Sequence, residues 1–267
     1  MKIFIGSDIE GVASLASFEE IGSESSASYD RAAIQMSKEV SAACRGALIA
    51  GASEIVVKDA HSSGRNIIQE YLPKEVMLIR GSTNTLYSMI GGIDKTFDAI
   101  MFIGYHDSAG SKYNPMAHTI SSRIVREIKI NGQNVGELYI FMYAAAYLKV
   151  PTIFVSGDSE ICRKAQLLNE KILTVGTKEG NGSSVKSIHP VLAEELIEEN
   201  VKEALKGNLK ERLIELPDSF SVEISYNMHF DATKASNYRD TVLLDEHTVK
   251  FETNDYYEVL RFIYFVI

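Results

Sequence analysis

The chain has 267 residues and a formal charge of -9, length enough for one large α/β domain or a core with a smaller lobe. The negative balance argues against nucleic-acid or anionic-membrane partners, which select basic surfaces, and 45% hydrophobic with 24% charged residues is ordinary for a soluble globular protein. No run approaches the roughly 20 apolar residues that span a bilayer, and no cationic, apolar leader precedes the first strand, so the expected location is the cytoplasm. Cys44 and Cys162 are the only cysteines. They are too few for a disulfide framework or a thiolate zinc site, and both fall in helix-like stretches as buried free thiols.

The chain opens on Lys2-Ile3-Phe4-Ile5, which reads as a buried strand and runs into Ser7-Asp8-Ile9-Glu10-Gly11. Residues two apart in a strand share a face, so Asp8 and Glu10 stand side by side at its end. Two carboxylates that close repel unless a cation sits between them. Ser28 to Ala50 carries apolar residues at helical spacing and stops at Gly51. Glu54 to His61 is a second strand ending in a histidine, Val76 to Gly81 a third, and Ala99 to His106 a fourth that again ends in a histidine. Ile128-Lys129-Ile130 and the run through Val135 alternate about Asn131-Gly132, a strong two-residue hairpin signal. The second arm delivers Gly136-Glu137-Leu138, a helix follows through Ala144-Ala145-Ala146, and Pro151 to Asp158 is another strand with a polar end.

Beyond Val175 the character changes. A Gly/Ser-rich stretch from Gly176 to Ser184 leads to a helix from about His189 to Leu205, strands at Ser221 to Tyr226 and Thr248 to Glu252, and a closing helix near Tyr256. The pattern predicts an α/β fold: a mostly parallel sheet flanked by helices over 1–175, with a smaller C-terminal α+β portion over 176–267 packed on it, the two able to form one continuous domain. There is no internal repeat, low-complexity tract or long linker.

In open α/β sheets ligands bind beyond the carboxyl ends of the strands, so Asp8, Glu10, His61 and His106 can converge there although they are distant in sequence. With Glu137 they make five side chains suited to zinc in a hydrolytic site, including carboxylates able to bridge a pair of ions. Taken singly, His61 reads equally well as a helix cap, His106 as a satisfied core histidine and Glu137 as a solvent-facing acid. Taken together, those readings leave the repeated placement of imidazoles at strand ends unexplained. His118 lies beyond the Gly/Ser-containing loop Asp107 to Lys112, and a loop histidine near a metal serves as general acid/base or as a substrate anchor.

Five ordered segments, Ser7-Asp8-Ile9-Glu10-Gly11, Lys58-Asp59-Ala60-His61-Ser62, Gly104-Tyr105-His106, Met116-Ala117-His118-Thr119 and Asn134-Val135-Gly136-Glu137-Leu138, resemble the successive motifs of the DppA-type D-aminopeptidases, zinc-dependent metallopeptidases. The similarity spans almost the whole chain and extends to Val155-Ser156-Gly157-Asp158, Ser183 to Lys186 and Thr248 to Phe251. By this resemblance Asp8, Glu10, His61, His106 and Glu137 hold a pair of zinc ions with Asp8 as the bridge, and His118 takes the position of the proposed catalytic histidine. The family further implies a ring-stacked homodecamer and activity on short peptides with an N-terminal D-amino acid. The sequence departs from the family where Tyr139-Ile140-Phe141 replaces small residues, which predicts a bulkier, more apolar pocket wall, and in a slightly longer His106-to-His118 loop. The rival readings are a dinuclear metallohydrolase for another amide or a phosphoester, and a non-catalytic metal- and peptide-binding ring protein. The first would favour extra cations near the metals, where the motif loops offer only Lys58, Arg65 and Lys112. No Gly-x-Ser-x-Gly elbow, His-Glu-x-x-His helix or phosphate loop is present.

Overall fold

The computed structural model describes residues 1–22 and 26–267. Its elements run β1 (Lys2–Ser7), α1 (Ala27–Ile49), β2 (Glu54–Asp59), β3 (Val76–Ile79), β4 (Ala99–Tyr105), β5 (Val125–Ile130), β6 (Gln133–Asn134), α2 (Glu137–Tyr147), β7 (Thr152–Asp158), α3 (Ser159–Leu168), β8 (Leu173–Asn181) and β9 (Ser184–Ser187), then α4 (Pro190–Ala204), β10 (Phe220–Tyr226), α5 (His229–Ala235), β11 (Thr241–Leu243), β12 (Thr248–Thr253) and α6 (Tyr256–Val266).

The first sheet has the order β3-β2-β1-β4-β7-β8-β9. All its neighbours pair in parallel except β8 with β9. Parallel strands covered on both faces read as continuous apolar runs, which is why β1, β2 and β4 were legible. Ile3 and Ile5 face one way, in a cluster with Met36, Val40 and Ala43 of α1 and Ile197 and Val201 of α4. Phe4, Val56, Ile100 and Phe102 belong to a second cluster shared with α2, α6 and the inner face of the other sheet.

That second sheet is antiparallel, in the order β11-β12-β10-β5-β6. The β5–β6 turn takes Asn131 at φ 51° and Gly132 at φ 79°, the paired positive values a type I′ hairpin turn requires. Each sheet takes strands from both the 1–175 and the 176–267 portions: β5 and β6 pair into the sheet of β10, whereas β8, β9 and α4 build on the first sheet. The Gly/Ser-rich stretch beyond Val175 is the β8–β9 hairpin, its strands carrying the glycines and serines. No helix among the described residues is long and apolar enough to cross a membrane.

The chain places β2 and β3 on one side of β1 and β4, β7 and β8 on the other. The order therefore reverses between β1 and β4, and a crevice opens there beyond the strand ends. Ser7 pairs with Asp59 and with Ile103, so the carboxyl ends of β1, β2 and β4 lie level.

Candidate active site

Each of the six singled-out side chains reaches this crevice. Asp8 and Glu10 follow β1, His61 lies two residues beyond β2, and His106 immediately follows β4. Glu137 is the first residue of α2, where the positive end of the helix dipole favours a carboxylate. The turn after β1 is held by Asp8 N–H donating to the Ile103 carbonyl and Gly11 N–H to the Gly104 carbonyl, each at 2.8 Å. A Cβ on Gly11 would lie 1.8 Å from the Tyr105 carbonyl oxygen, and one on Gly157 1.9 Å from the same atom. The site therefore depends on backbones approaching more closely than any side chain permits.

His61 Nδ1 lies 3.3 Å from Asp8 Oδ1 and 3.1 Å from Glu10 Oε2. His106 Nε2 lies 3.5 Å from Asp8 Oδ2 and 3.3 Å from Glu137 Oε2. The described residues thus form one potential ligand triad of Asp8, Glu10 and His61 and another of Asp8, His106 and Glu137, sharing Asp8; a third joins Glu10, His106 and His118. Asp8 Oδ2, Glu10 Oε2 and His106 Nε2 are buried and make no hydrogen bond among the described residues. Three orphaned polar atoms converging on one point is the pattern a bound cation resolves, because a buried donor or acceptor left unmet costs about 1–3 kcal/mol.

The charge balance agrees. Burial, and then the neighbouring Glu10 charge, push Asp8 up to about 7. Burial works against ionisation of Glu10 and Glu137 as well, but the imidazoles around them outweigh it and hold both below the usual carboxylate range. Burial likewise opposes charge on His61 and His106, yet the carboxylates raise both well above the ordinary histidine value. Three carboxylates buried together demand positive charge. Protonated imidazoles supply it here, and a divalent cation would supply more while taking the imidazoles neutral.

His118 stands apart in accessibility, with 14% of its side chain exposed against none for His106. Its ring stacks on His106 with centroids 4.3 Å apart and planes 8° from parallel, and Phe18 meets its other side edge-on at 5.4 Å. Its Nε2 is 3.7 Å from Glu137 Oε1 and 4.0 Å from Glu10 Oε1. In front of the cluster lies a cavity of about 280 Å³ whose walls include Ala60, Ser62, Ser88, Met89 and Ile120. Ser62 (φ 46°), Ser88 (φ 36°) and Ile120 (φ 62°) are all left-handed there, a cost of about 1–3 kcal/mol each that surrounding structure must enforce. At Ile120 the enforced geometry aims its N–H at Glu137 Oε1, 2.6 Å away.

The predicted bulky wall is corrected by the structure. Phe141 is buried in the core, and Tyr139 turns to the Tyr143 hydroxyl and a separate crevice beside α3; neither lines the cavity, because Tyr139 sits about 200° around α2 from Glu137, and Phe141, though on Glu137's face, lies one helical turn further along in the core. Sequence reasoning missed the second layer. Lys178, buried on β8, donates to the carbonyls of Glu10 and Leu15 (2.6 Å for Leu15), and burial lowers it to about 8. Asp158 ends β7 as Asp8 ends β1, and that parallel was the available signal.

A D-aminopeptidase family model matches residues 1–265. The D-aminopeptidase of Bacillus subtilis (strain 168) is 30% identical over 265 residues, covering 98% of this chain and 94% of that protein. The solved structure of the Zn-dependent D-aminopeptidase DppA from Bacillus subtilis, described as a self-compartmentalizing protease, superposes with a TM-score of 0.91 at 29% identity over 100% of this chain and 96% of its own. Fold, length and sequence agree from end to end, and the chain belongs to the D-aminopeptidase family of peptidases.

Proposed function

We propose that the protein is a zinc-dependent D-aminopeptidase acting on short peptides with an N-terminal D-amino acid. The observation that carries this reading is the buried cluster of Asp8, Glu10, His61, His106 and Glu137, with three ligand atoms that lack a hydrogen bond among the described residues, in a chain matched throughout to a Zn-dependent relative. Asp8, Glu10 and His61 would hold one zinc, Asp8, His106 and Glu137 a second, and Asp8 with its two oxygens aimed at different histidines would bridge them. Bound zinc supplies a water whose pKa is lowered toward about 7 and Lewis-acid polarisation of the scissile carbonyl.

The chain's own residues do the rest. His118 Nδ1 meets the Met116 carbonyl at 3.0 Å, and since a carbonyl only accepts, Nδ1 carries the proton. Nε2 is then free to accept the proton that the attacking water gives up and to deliver it to the leaving amine nitrogen as the C–N bond breaks. Glu137 Oε1 and Glu10 Oε1 lie 3.7 and 4.0 Å from that nitrogen. Ala60, Met89 and Ile120 give the cavity an apolar side for the first residue's side chain, opposite the carboxylates and imidazoles.

The relative's self-compartmentalizing character supports assembly of this chain into a homo-oligomer, a homodecamer in our reading. Exposed Met228, Phe230, Val242, Leu243 and Leu244 on and beside α5 and β11 offer apolar surface for it. The free, buried Cys44 and Cys162 agree with the expected cytoplasmic setting. Chelator treatment should abolish release of D-alanine from D-Ala-D-Ala and zinc should restore it; hydrolysis that survives complete metal removal would overturn the proposal.

A further inference from the structure

Behind the cluster, one buried carboxylate reaches both stacked histidines. Asp158 Oδ2 accepts from Asp107 N–H at 2.8 Å and from Asn114 Nδ2 at 3.0 Å. The Asp107 carbonyl accepts from His106 Nδ1 at 2.8 Å. On the other arm, Asn114 Oδ1 accepts from Met116 N–H at 2.9 Å, and the Met116 carbonyl receives His118 Nδ1. The second oxygen, Asp158 Oδ1, caps α3 by accepting from Ile161 N–H at 2.8 Å. Asp158 and Asp107 are wholly buried and Asn114 nearly so, so no water competes for these bonds.

We propose that Asp158 is the shared positioning residue of the site: through Asp107 it sets the His106 ring, and through Asn114 it sets the His118 ring. The inference rests on the zinc peptidase reading above. Each arm ends on an Nδ1–H···O=C bond, which fixes the tautomer and turns both Nε2 atoms toward the carboxylates. A group that orients a metal-binding or proton-transferring imidazole in this way typically carries a 10–100-fold effect when removed. The two arms part at Asp158 Oδ2, and the one further contact of Asn114 Nδ2 is to the backbone carbonyl of Glu10 at 3.5 Å. Asn114 serves the histidine that moves the proton, whereas the Asp107 arm serves the histidine that holds metal.

The test uses two variants of the zinc-loaded protein, with cobalt substitution as the readout of metal geometry. Asn114→Ala cuts the His118 arm and a long 3.5 Å contact of Asn114 Nδ2 with the Glu10 backbone carbonyl, while Asp158 keeps Asp107 N–H and the α3 cap: kcat should fall about 10-fold or more, while KM, zinc affinity and the visible spectrum of the cobalt form stay those of the parent. Asp158→Asn disturbs both arms, since one amide oxygen cannot serve both the fork and the α3 cap. It should weaken zinc affinity about 10–100-fold and shift the cobalt spectrum. An Asn114→Ala protein that keeps parental kcat, or that loses zinc in step with kcat, overturns the proposal, as does an Asp158→Asn protein with parental zinc affinity and spectrum. Failure of the underlying reading shows differently, as a zinc-loaded parent that cleaves no D-peptide or a His118→Ala variant with full turnover. Zinc affinity and the cobalt spectrum still report on Asp158 in that case.

Discussion

Glu39 of α1 is buried with no exposure and offers a prediction that needs no metal. Its Oε1 accepts from Ala13 N–H and from Gln35 Nε2, both at 2.8 Å, and its Oε2 has no partner. Burial is the largest influence and pushes the carboxyl from 4.5 up to about 7, against the smaller opposing pulls of Gln35, Ala13 and Lys178. The folded protein therefore holds this proton more tightly than the unfolded chain. Stability contributed by the protonated form is present below about pH 4.5 and is lost as pH rises to about 7, then stays level. A shift of that size corresponds to about 3 kcal/mol in full, of which about 2–3 kcal/mol falls between pH 5 and pH 8. Glu39→Gln keeps Oε1 accepting from both donors and removes the titration; whatever its amide costs is independent of pH. Urea denaturation of parent and variant at equal protein concentration should show the variant gaining about 2–3 kcal/mol on the parent from pH 5 to pH 8. Parallel pH profiles for the two proteins would refute the reasoning.

Three further outcomes follow from the site. His61→Ala and His106→Ala should each leave the protein with one zinc rather than a pair, measured by elemental analysis after dialysis, because each histidine completes a different Asp8-sharing triad; a full pair retained by either would remove that residue from the ligand set. His118→Ala should keep its zinc and lose about 100-fold or more in kcat, as removal of a proton-transferring side chain does, and metal loss in that variant would instead make His118 a ligand. Gly157→Ala would bring Cβ to 1.9 Å from the Tyr105 carbonyl oxygen, so it should cost about 3 kcal/mol or more by thermal denaturation, at or above the usual range for overpacking, and a parental Tm would show that β4 and β7 yield more readily than their packing implies.

Much of the first sheet was legible because buried parallel strands are written as unbroken apolar runs, and the residues that follow them are conspicuous by contrast. Ile55-Val56-Val57 makes His61 visible, and Ile100-Met101-Phe102-Ile103 makes His106 visible. The hairpin at Asn131-Gly132 was legible because two successive positive φ values leave few choices of residue. The β8–β9 hairpin was not, since Gly176, Gly180 and Ser184 dilute its strand pattern, and their small size serves close packing instead: a Cβ on Gly180 would meet the Tyr113 carbonyl at 2.4 Å. The pairing of β5 with β10 joins residues 92 to 101 positions apart, which no local period encodes. At the site, the six chemical side chains announced themselves by type and place. Asp158 was visible as the polar end of β7, but Asn114 and Lys178 were not, because they act on backbone atoms of other residues, which carry no sequence signal. The wall expected at Tyr139 and Phe141 failed for two reasons: helix phase turns Tyr139 away from Glu137, and Phe141, one turn further along Glu137's face, is buried in the core.

The central claim is that a shared-Asp8 zinc pair cleaves peptides after an N-terminal D-residue. It is tested most directly by stripping the protein of metal, titrating zinc, and following hydrolysis of D-Ala-D-Ala, L-Ala-L-Ala and D-Ala-p-nitroanilide together. The account predicts activity that rises to saturation at a pair of zinc ions per chain and is confined to substrates with a D-configured N-terminus. Saturation at a single zinc would contradict the shared-ligand centre, and equal cleavage of the L-peptide, or zinc uptake without cleavage, would contradict the assigned substrate.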